Sequence, residues 1–221
     1  MTEVIATLPA AFVLLLVVID PFGLTPMFSA LTRGREPAER RRTAVKAVSI
    51  AALILTLFAF TGSLLFDYLG IGMPAFRIAG GMLLFLIAVD MLFVRHSGLT
   101  STTLRERSEA ARRDEVAVFP LAIPLIAGPG ALTTVMLLTR DLPLVQVLVV
   151  LVLTLTVLAI TLGMFLAAGQ VERLLGETGI NVITRLLGIL LAALAVQFAL
   201  DGLRESLPGL AGGFAAAPAS R

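Results

Sequence analysis

Asp20 closes a run of sixteen mostly apolar residues that begins at Val4, and Pro21-Phe22-Gly23-Leu24-Thr25-Pro26 follows it. A carboxylate, two prolines and a glycine inside an apolar run put an ionisable group where a helix must break. Pro21 and Pro26 remove two backbone donors and clash with carbonyls one turn earlier, and Gly23 loosens the chain between them. Peptide groups freed in this way are costly in hydrocarbon, so the stretch must face protein or a wet cavity. A second apolar run is interrupted by Gly128-Pro129-Gly130-Ala131-Leu132-Thr133-Thr134, with Pro120 and Pro124 kinking the helix ahead of it. This second break is expected to be the softer one. After each break a new helix start offers backbone N–H groups and a positive dipole end, and the chain end before it offers free carbonyls. Such a pair suits a zwitterion, with a carboxylate at a helix start and an ammonium at the carbonyls or at Asp20. The candidate solute-binding residues are Asp20, Pro21, Gly23, Thr25, Gly128, Pro129, Gly130, Thr133 and Thr134, with Gln197 added as the strongly polar residue deep in the last apolar run.

Each of these residues also has a plain structural role. Proline kinks occur in membrane helices as packing features. Asp before Pro is a good helix start signal, so Asp20 can cap a half-helix, and capping does not exclude solute binding. Gln197 is either glue between helices or a cavity wall. Arg77 and Arg185 sit near the starts of their spans, where they snorkel, pair at opposite interfaces, or form a gating ion pair. Asp90 lies about one turn from Arg95, which favours an interfacial pair. Gly80-Gly81 and Gly188 read as close helix approach rather than binding.

The two breaks share a register. Pairing Pro21 with Pro129 (129 − 21 = 108) also pairs Leu24 with Leu132, Thr25 with Thr133, Arg77 with Arg185 and Gly80 with Gly188. An internal repeat that keeps its helix breakers points to a membrane transport site, where unwound backbone holds a solute.

The elements that carry these breaks are membrane spans. The chain is 58% hydrophobic and 14% charged, with mean hydropathy +1.00, well outside the range of soluble domains. Six apolar runs are long enough to cross a bilayer: about Val4–Leu31, Ala44–Phe66, Met73–Val94, Val116–Thr139, Leu144–Ala168 and Ile180–Leu200. Glu3 precedes the first run and no small-residue cleavage site follows it, so it is not expected to be a cleaved signal. All 221 residues form a single membrane domain, with repeat 1 over about 1–95, a loop over about 95–115, repeat 2 over about 116–207 and a flexible tail over 208–221. The loop has room for a surface helix opening on the capping box Thr103-Leu104-Arg105-Glu106, with a solvated or partner-binding charged face. Cysteine is absent and His96 is the lone histidine, which argues against thiol, iron–sulfur and zinc chemistry. No cofactor is expected.

Twelve Lys and Arg residues fall in the connections after the first, third and fifth spans, against Arg77, Arg140, Arg204 and Arg221 on the other face. The basic face is then cytoplasmic and both termini face outward. That distribution also accounts for the pI near 9.9 without nucleic acid. Three spans per repeat is an odd number, so the second repeat enters the membrane inverted. The expected fold is an all-α membrane protein of six helices in two inverted three-helix repeats, the first and fourth helices broken at Pro/Gly motifs.

Asp20-Pro21-x-Gly23-x-x-Pro26 and Pro120-Leu121-Ala122-Ile123-Pro124-x-x-Ala127-Gly128-Pro129-Gly130-Ala131-x-Thr133-Thr134 resemble the MarC family of integral membrane proteins. Phe76-Arg77-Ile78-Ala79-Gly80-Gly81 and Arg185-Leu186-Leu187-Gly188 extend the resemblance to about Leu207. It implies a six-span inner-membrane protein, some members of which transport glycine and other small neutral amino acids. The expected function is therefore secondary transport of a small neutral solute by alternating access. A coupled proton or cation is a possible partner, and Asp20 is the natural proton carrier. No Gly-x-x-x-x-Gly-Lys-Ser/Thr loop is present to use ATP directly. A passive channel or membrane scaffold is the alternative. A membrane enzyme is less expected, since a six-span thiol–disulfide carrier needs cysteines, and an intramembrane hydrolase needs a paired Asp, Ser/Lys or metal constellation, whereas Gly128 stands where the second repeat would hold the counterpart of Asp20.

Overall fold

Proline opens several of the helices. Its φ suits the first helical turn, where its missing N–H would have no partner in any case. The structure, a computed structural model, describes residues 2–93, 116–140 and 142–207. Its elements are α1 (Thr2–Ile19), α2 (Pro21–Leu31), α3 (Pro37–Leu69), α4 (Met73–Phe93), α5 (Ala117–Ile126), α6 (Pro129–Thr139), α7 (Leu144–Leu166) and α8 (Ala168–Ser206), with no strand among the described residues.

Five helices are long and apolar enough to span a bilayer: Leu8–Leu31 across α1 and α2, Pro37–Gly62, Met73–Phe93, Leu144–Leu166 and Thr178–Ser206. The pair α5–α6, bent by 54°, makes a sixth if it is counted as one span. Leucine, valine and phenylalanine stand out along these helices, among them Leu53, Leu57, Phe85, Leu86, Val152 and Leu190. On a soluble protein they would form an aggregation-prone surface, whereas here they face lipid. The buried polar residues are threonines, including Thr25, Thr133, Thr134, Thr154 and Thr161. Their hydroxyls can be satisfied by the helix's own carbonyls, as Thr154 does by donating to the Val150 carbonyl at 2.9 Å.

The two breaks differ in severity, and in the opposite sense to the expectation. At the first, α1 and α2 run on as a single span. The hydrogen-bond ladder continues through it, with Asp20 N–H on the Leu16 carbonyl and Leu24 N–H on the Asp20 carbonyl, both at 3.0 Å. The second break is the sharper. In α5 the bonds widen to five residues, Leu121 N–H to Val116 O at 3.4 Å and Ala127 N–H to Ala122 O at 2.9 Å. Phe119 and Ile123 are extended within it. Each precedes a proline, whose ring drives the preceding residue out of the α region. Both prolyl bonds are cis. Two X-Pro steps and an extended Gly128 therefore act together, where the first break has one capped residue.

Buried side chains form two cores. The larger gathers Leu15 and Ile19 of α1, Leu24 and Phe28 of α2, Leu55 of α3, Leu121 of α5, Val135 of α6 and Leu158 of α7. The smaller joins Leu14 and Val17 of α1 to Leu84, Ala88 and Met91 of α4 and Leu191 and Ala195 of α8. Helix α1 thus feeds both cores, and α4 packs chiefly along α8. That contact is close because glycines line it. A Cβ on Gly81 would meet the Ala195 carbonyl oxygen at 2.6 Å, and one on Gly188 would meet the Met91 Cβ at 3.0 Å. Glycine also links the cores, since Gly70 (φ 68°) joins α3 to α4 and Gly176 (φ 63°, ψ 173°) interrupts α8. At Gly176 no neighbour lies within 4 Å of an added Cβ, so its backbone conformation alone requires glycine.

The expected loop helix with its Thr103–Glu106 capping box, the Arg95 partner of Asp90 and the tail 208–221 lie outside the described residues.

Candidate functional site

Asp20 adopts a left-handed conformation (φ 47°, ψ 66°), the one non-glycine residue with positive φ among the described residues. In that pose its Oδ1 accepts the Gly23 N–H at 3.1 Å and caps α2. Aspartate tolerates this conformation because its short side chain bonds locally. Gly23 is required by the same contact, since an added Cβ would stand 2.1 Å from Asp20 Oδ2. Thr25, fully buried, donates to the Pro21 carbonyl at 2.7 Å. That bond stays within α2.

The second site has another chemistry at the same places. Helix α6 starts at Pro129 and ends at Thr139, and both bounds lie 108 residues after those of α2 (129 − 21 and 139 − 31). Gly128 replaces Asp20 as the cap residue, with extended backbone and no side-chain cap bond. A side chain has no room there, because a Cβ would lie 2.4 Å from the Pro124 carbonyl oxygen. Thr133 and Thr134 are both buried.

The two breaks are neighbours. A Cβ on Gly130 would reach Val18 Cγ1 at 3.3 Å, and Val18 stands two residues before Asp20. The same position touches Ile87 Cδ1 at 2.5 Å and Leu84 Cδ2 at 3.4 Å, so α1, α4 and α6 meet at Gly130. Gly80 of α4 sits against Thr133, with an added Cβ 4.0 Å from the Thr133 Cβ. The candidates Gly130 and Thr133 thus lie against α1 and α4 along one seam. In this conformation the seam is packed shut by the ends of Val18, Leu84 and Ile87. An open groove of about 690 Å³ lies instead at the α7–α8 turn, lined by Gly163, Leu166, Ala167, Gly169, Gln170 and Arg173.

Gln197 is exposed and donates to Asp201 one turn on, at 2.8 Å, so its bond runs along its own helix. Arg77 pairs with Glu205 across the α4–α8 contact, whereas Arg185 is exposed. Val18, Leu84 and Ile87 were not singled out from sequence. They are ordinary apolar residues in apolar runs, and only their meeting at a glycine marks them.

The family follows from comparison with known proteins. A model described as MarC family integral membrane protein matches residues 5–207. The chain belongs to the MarC family. Relatives include a protein named UPF0056 membrane protein from Aquifex aeolicus, 40% identical over 201 residues that cover 89% of this chain and 92% of the relative. In Escherichia coli K12, the UPF0056 inner membrane protein YhgN is 36% identical over 95% of this chain and 100% of its own length. YhcE of the same strain is 35% identical over 90% and 93%. No solved structure matches the chain. This MarC-family chain is thus an integral, multi-pass membrane protein.

Proposed function

We propose that this protein is a secondary transporter of small neutral amino acids such as glycine, working by alternating access in the inner membrane. One observation carries the reading: two proline-started half-helices, equal in length and 108 residues apart, follow breaks that come close where Gly130 of α6 packs on Val18 of α1, two residues before Asp20. Broken helices at a repeat interface, near an ionisable group, are the usual form of a solute site in such carriers.

The proposed frame is a pair of inverted three-helix repeats. Support comes from the α4–α8 contact, which is antiparallel: Gly202 of α8 faces Pro74 of α4, and Gly188 faces Ala88 and Met91. Gly81 faces Ala195 and Ala199. Two helices at equivalent places of the repeats that pack antiparallel are what a two-fold axis in the membrane plane produces. In the mechanism, α4 and the second part of α8 move as one body, hinged at Gly70 and Gly176, against the body built on α1, α3 and α7. The seam between them opens to each side in turn. Asp20 carries a proton when transport is coupled. The basic face is cytoplasmic by the positive-inside rule, and the inner membrane is the location in the name of the relative YhgN.

Counterflow in proteoliposomes tests the reading. Vesicles loaded with unlabelled glycine should transiently accumulate external labelled glycine, because a carrier exchanges through one alternating site. Flux that shows no counterflow and no saturation would mean a channel. Absence of flux for glycine, alanine and serine alike would end the transport reading.

A further inference from the structure

We propose that this protein forms a homodimer through the outer face of α8, with Gln197 of each copy hydrogen-bonded to Gln197 of the other at the centre of the contact. The inference goes beyond the transport reading and does not depend on it. Helix α8 presents Ala195 and Ala199 to Gly81 of α4. Gln197 stands two residues from each of them, and two residues turn a helix by about 200°. Its carboxamide therefore leaves the helix on the side away from α4. Gln197 is exposed, and the bond it makes runs along its own helix to Asp201 at 2.8 Å. That bond uses one N–H, which leaves the carboxamide oxygen and the second N–H without a partner among the described residues.

The depth of Gln197 makes this costly for a single chain. Its span runs over Thr178–Ser206, and Arg204, its side chain 64% exposed, marks the polar edge. Gln197 lies seven residues deeper (204 − 197), about 10 Å at the rise of an α-helix. Lipid chains offer an amide neither donor nor acceptor, so an amide at that depth is matched by another helix. The residues around it have the spacing for one. Leu186, Leu190, Ala193, Gln197, Leu200 and Arg204 follow at intervals of four, three, four, three and four, and in the single chain all are exposed. This is the heptad spacing of two helices wound together, with a small residue one turn before the amide to let the backbones approach. One polar residue in such a row fixes register and strand number.

The partner is a second copy because the row is complementary to itself. Copies of one chain insert the same way up, so two α8 helices run parallel with each Gln197 opposite the other. A carboxamide both donates and accepts, so the pair satisfies itself. Next to it, Asp201 and Arg204 lie 3.9 Å apart within one chain, opposite charges that a two-fold contact can exchange between copies. Helix α4 packs on the far side of α8, so the dimer leaves that contact intact.

The chain has no cysteine, so single cysteines report the contact in the full-length protein in bilayers. Ala193→Cys should give a disulfide-linked dimer on oxidation, and Val152→Cys, on an exposed face of α7, should stay monomeric. Energy transfer between terminally labelled copies in vesicles should show a monomer–dimer equilibrium. Gln197→Leu should weaken it between about threefold and thirtyfold, the range for a hydrogen bond between membrane helices. Gln197→Asn keeps an amide and should weaken it less. Protein that stays monomeric at every density, cross-linking as strong from Val152→Cys as from Ala193→Cys, or an equilibrium that Gln197→Leu leaves unchanged would each overturn the proposal.

Discussion

Asp20 and Gly23 form the tightest unit at the residue scale. The carboxylate caps the half-helix only because Gly23 has no side chain, with Oδ2 2.1 Å from where a Cβ would stand. Asp20→Ala should lower stability by about 1 kcal/mol, the usual loss for an N-cap. Gly23→Ala should also destabilise, and the double variant should be less harmed than the sum of the two, since removing the carboxylate removes the clash. Thermal melts in one detergent check this, and strict additivity would contradict it. Asp20→Asn retains an acceptor for the Gly23 N–H, so it folds and separates capping from proton coupling. Uptake driven by a pH gradient should be lost in Asp20→Asn, and unchanged gradient-driven uptake would rule out Asp20 as the proton carrier.

At the scale of elements, the glycines sort by what surrounds them. Gly81 faces backbone atoms of α8, which cannot withdraw like a side-chain end, so Gly81→Ala should destabilise and loosen α4 from α8. Gly163 lies inside α7 with nothing within 4 Å of an added Cβ. Gly163→Ala should be neutral or stabilise by up to about 1 kcal/mol, through the backbone entropy that glycine loses in a helix. Melting temperatures that moved the same way for both would contradict this reading. The helices themselves were legible in the sequence, because a span needs a long apolar run, and the expected starts at Met73 and Leu144 are helix starts, whereas the helix over the run expected from Ala44 begins earlier, at Pro37. The severity of the two breaks was not. Counting prolines alone at the break itself ranks the first (Pro21 and Pro26) above the second (Pro129). The outcome depends on whether a side chain restores the ladder, as Asp20 does, and on Pro120 and Pro124 forcing Phe119 and Ile123 to extend. Gln197 was singled out for polarity in an apolar run, and that reading missed Asp201 one turn away as its partner.

The whole molecule holds two hydrophobic cores joined through α1, and this division was hidden in the sequence. Periodicity tells which residues are buried but not which core they join: Leu14 and Leu15 are adjacent and go to different ones. The 108-residue register foretold the equal half-helices α2 and α6, and the meeting of the breaks came from packing at Gly130. The central claim is that the body carrying α4 moves against α6 during each cycle. Gly80 and Thr133 face each other across that seam with a Cβ separation of 4.0 Å, inside the range a disulfide accepts. The chain has no cysteine of its own, so Gly80→Cys with Thr133→Cys introduces the only thiols. Glycine counterflow should be present in the reduced double variant, vanish when oxidation cross-links it, and return on reduction. Undiminished counterflow through fully cross-linked protein would contradict the account.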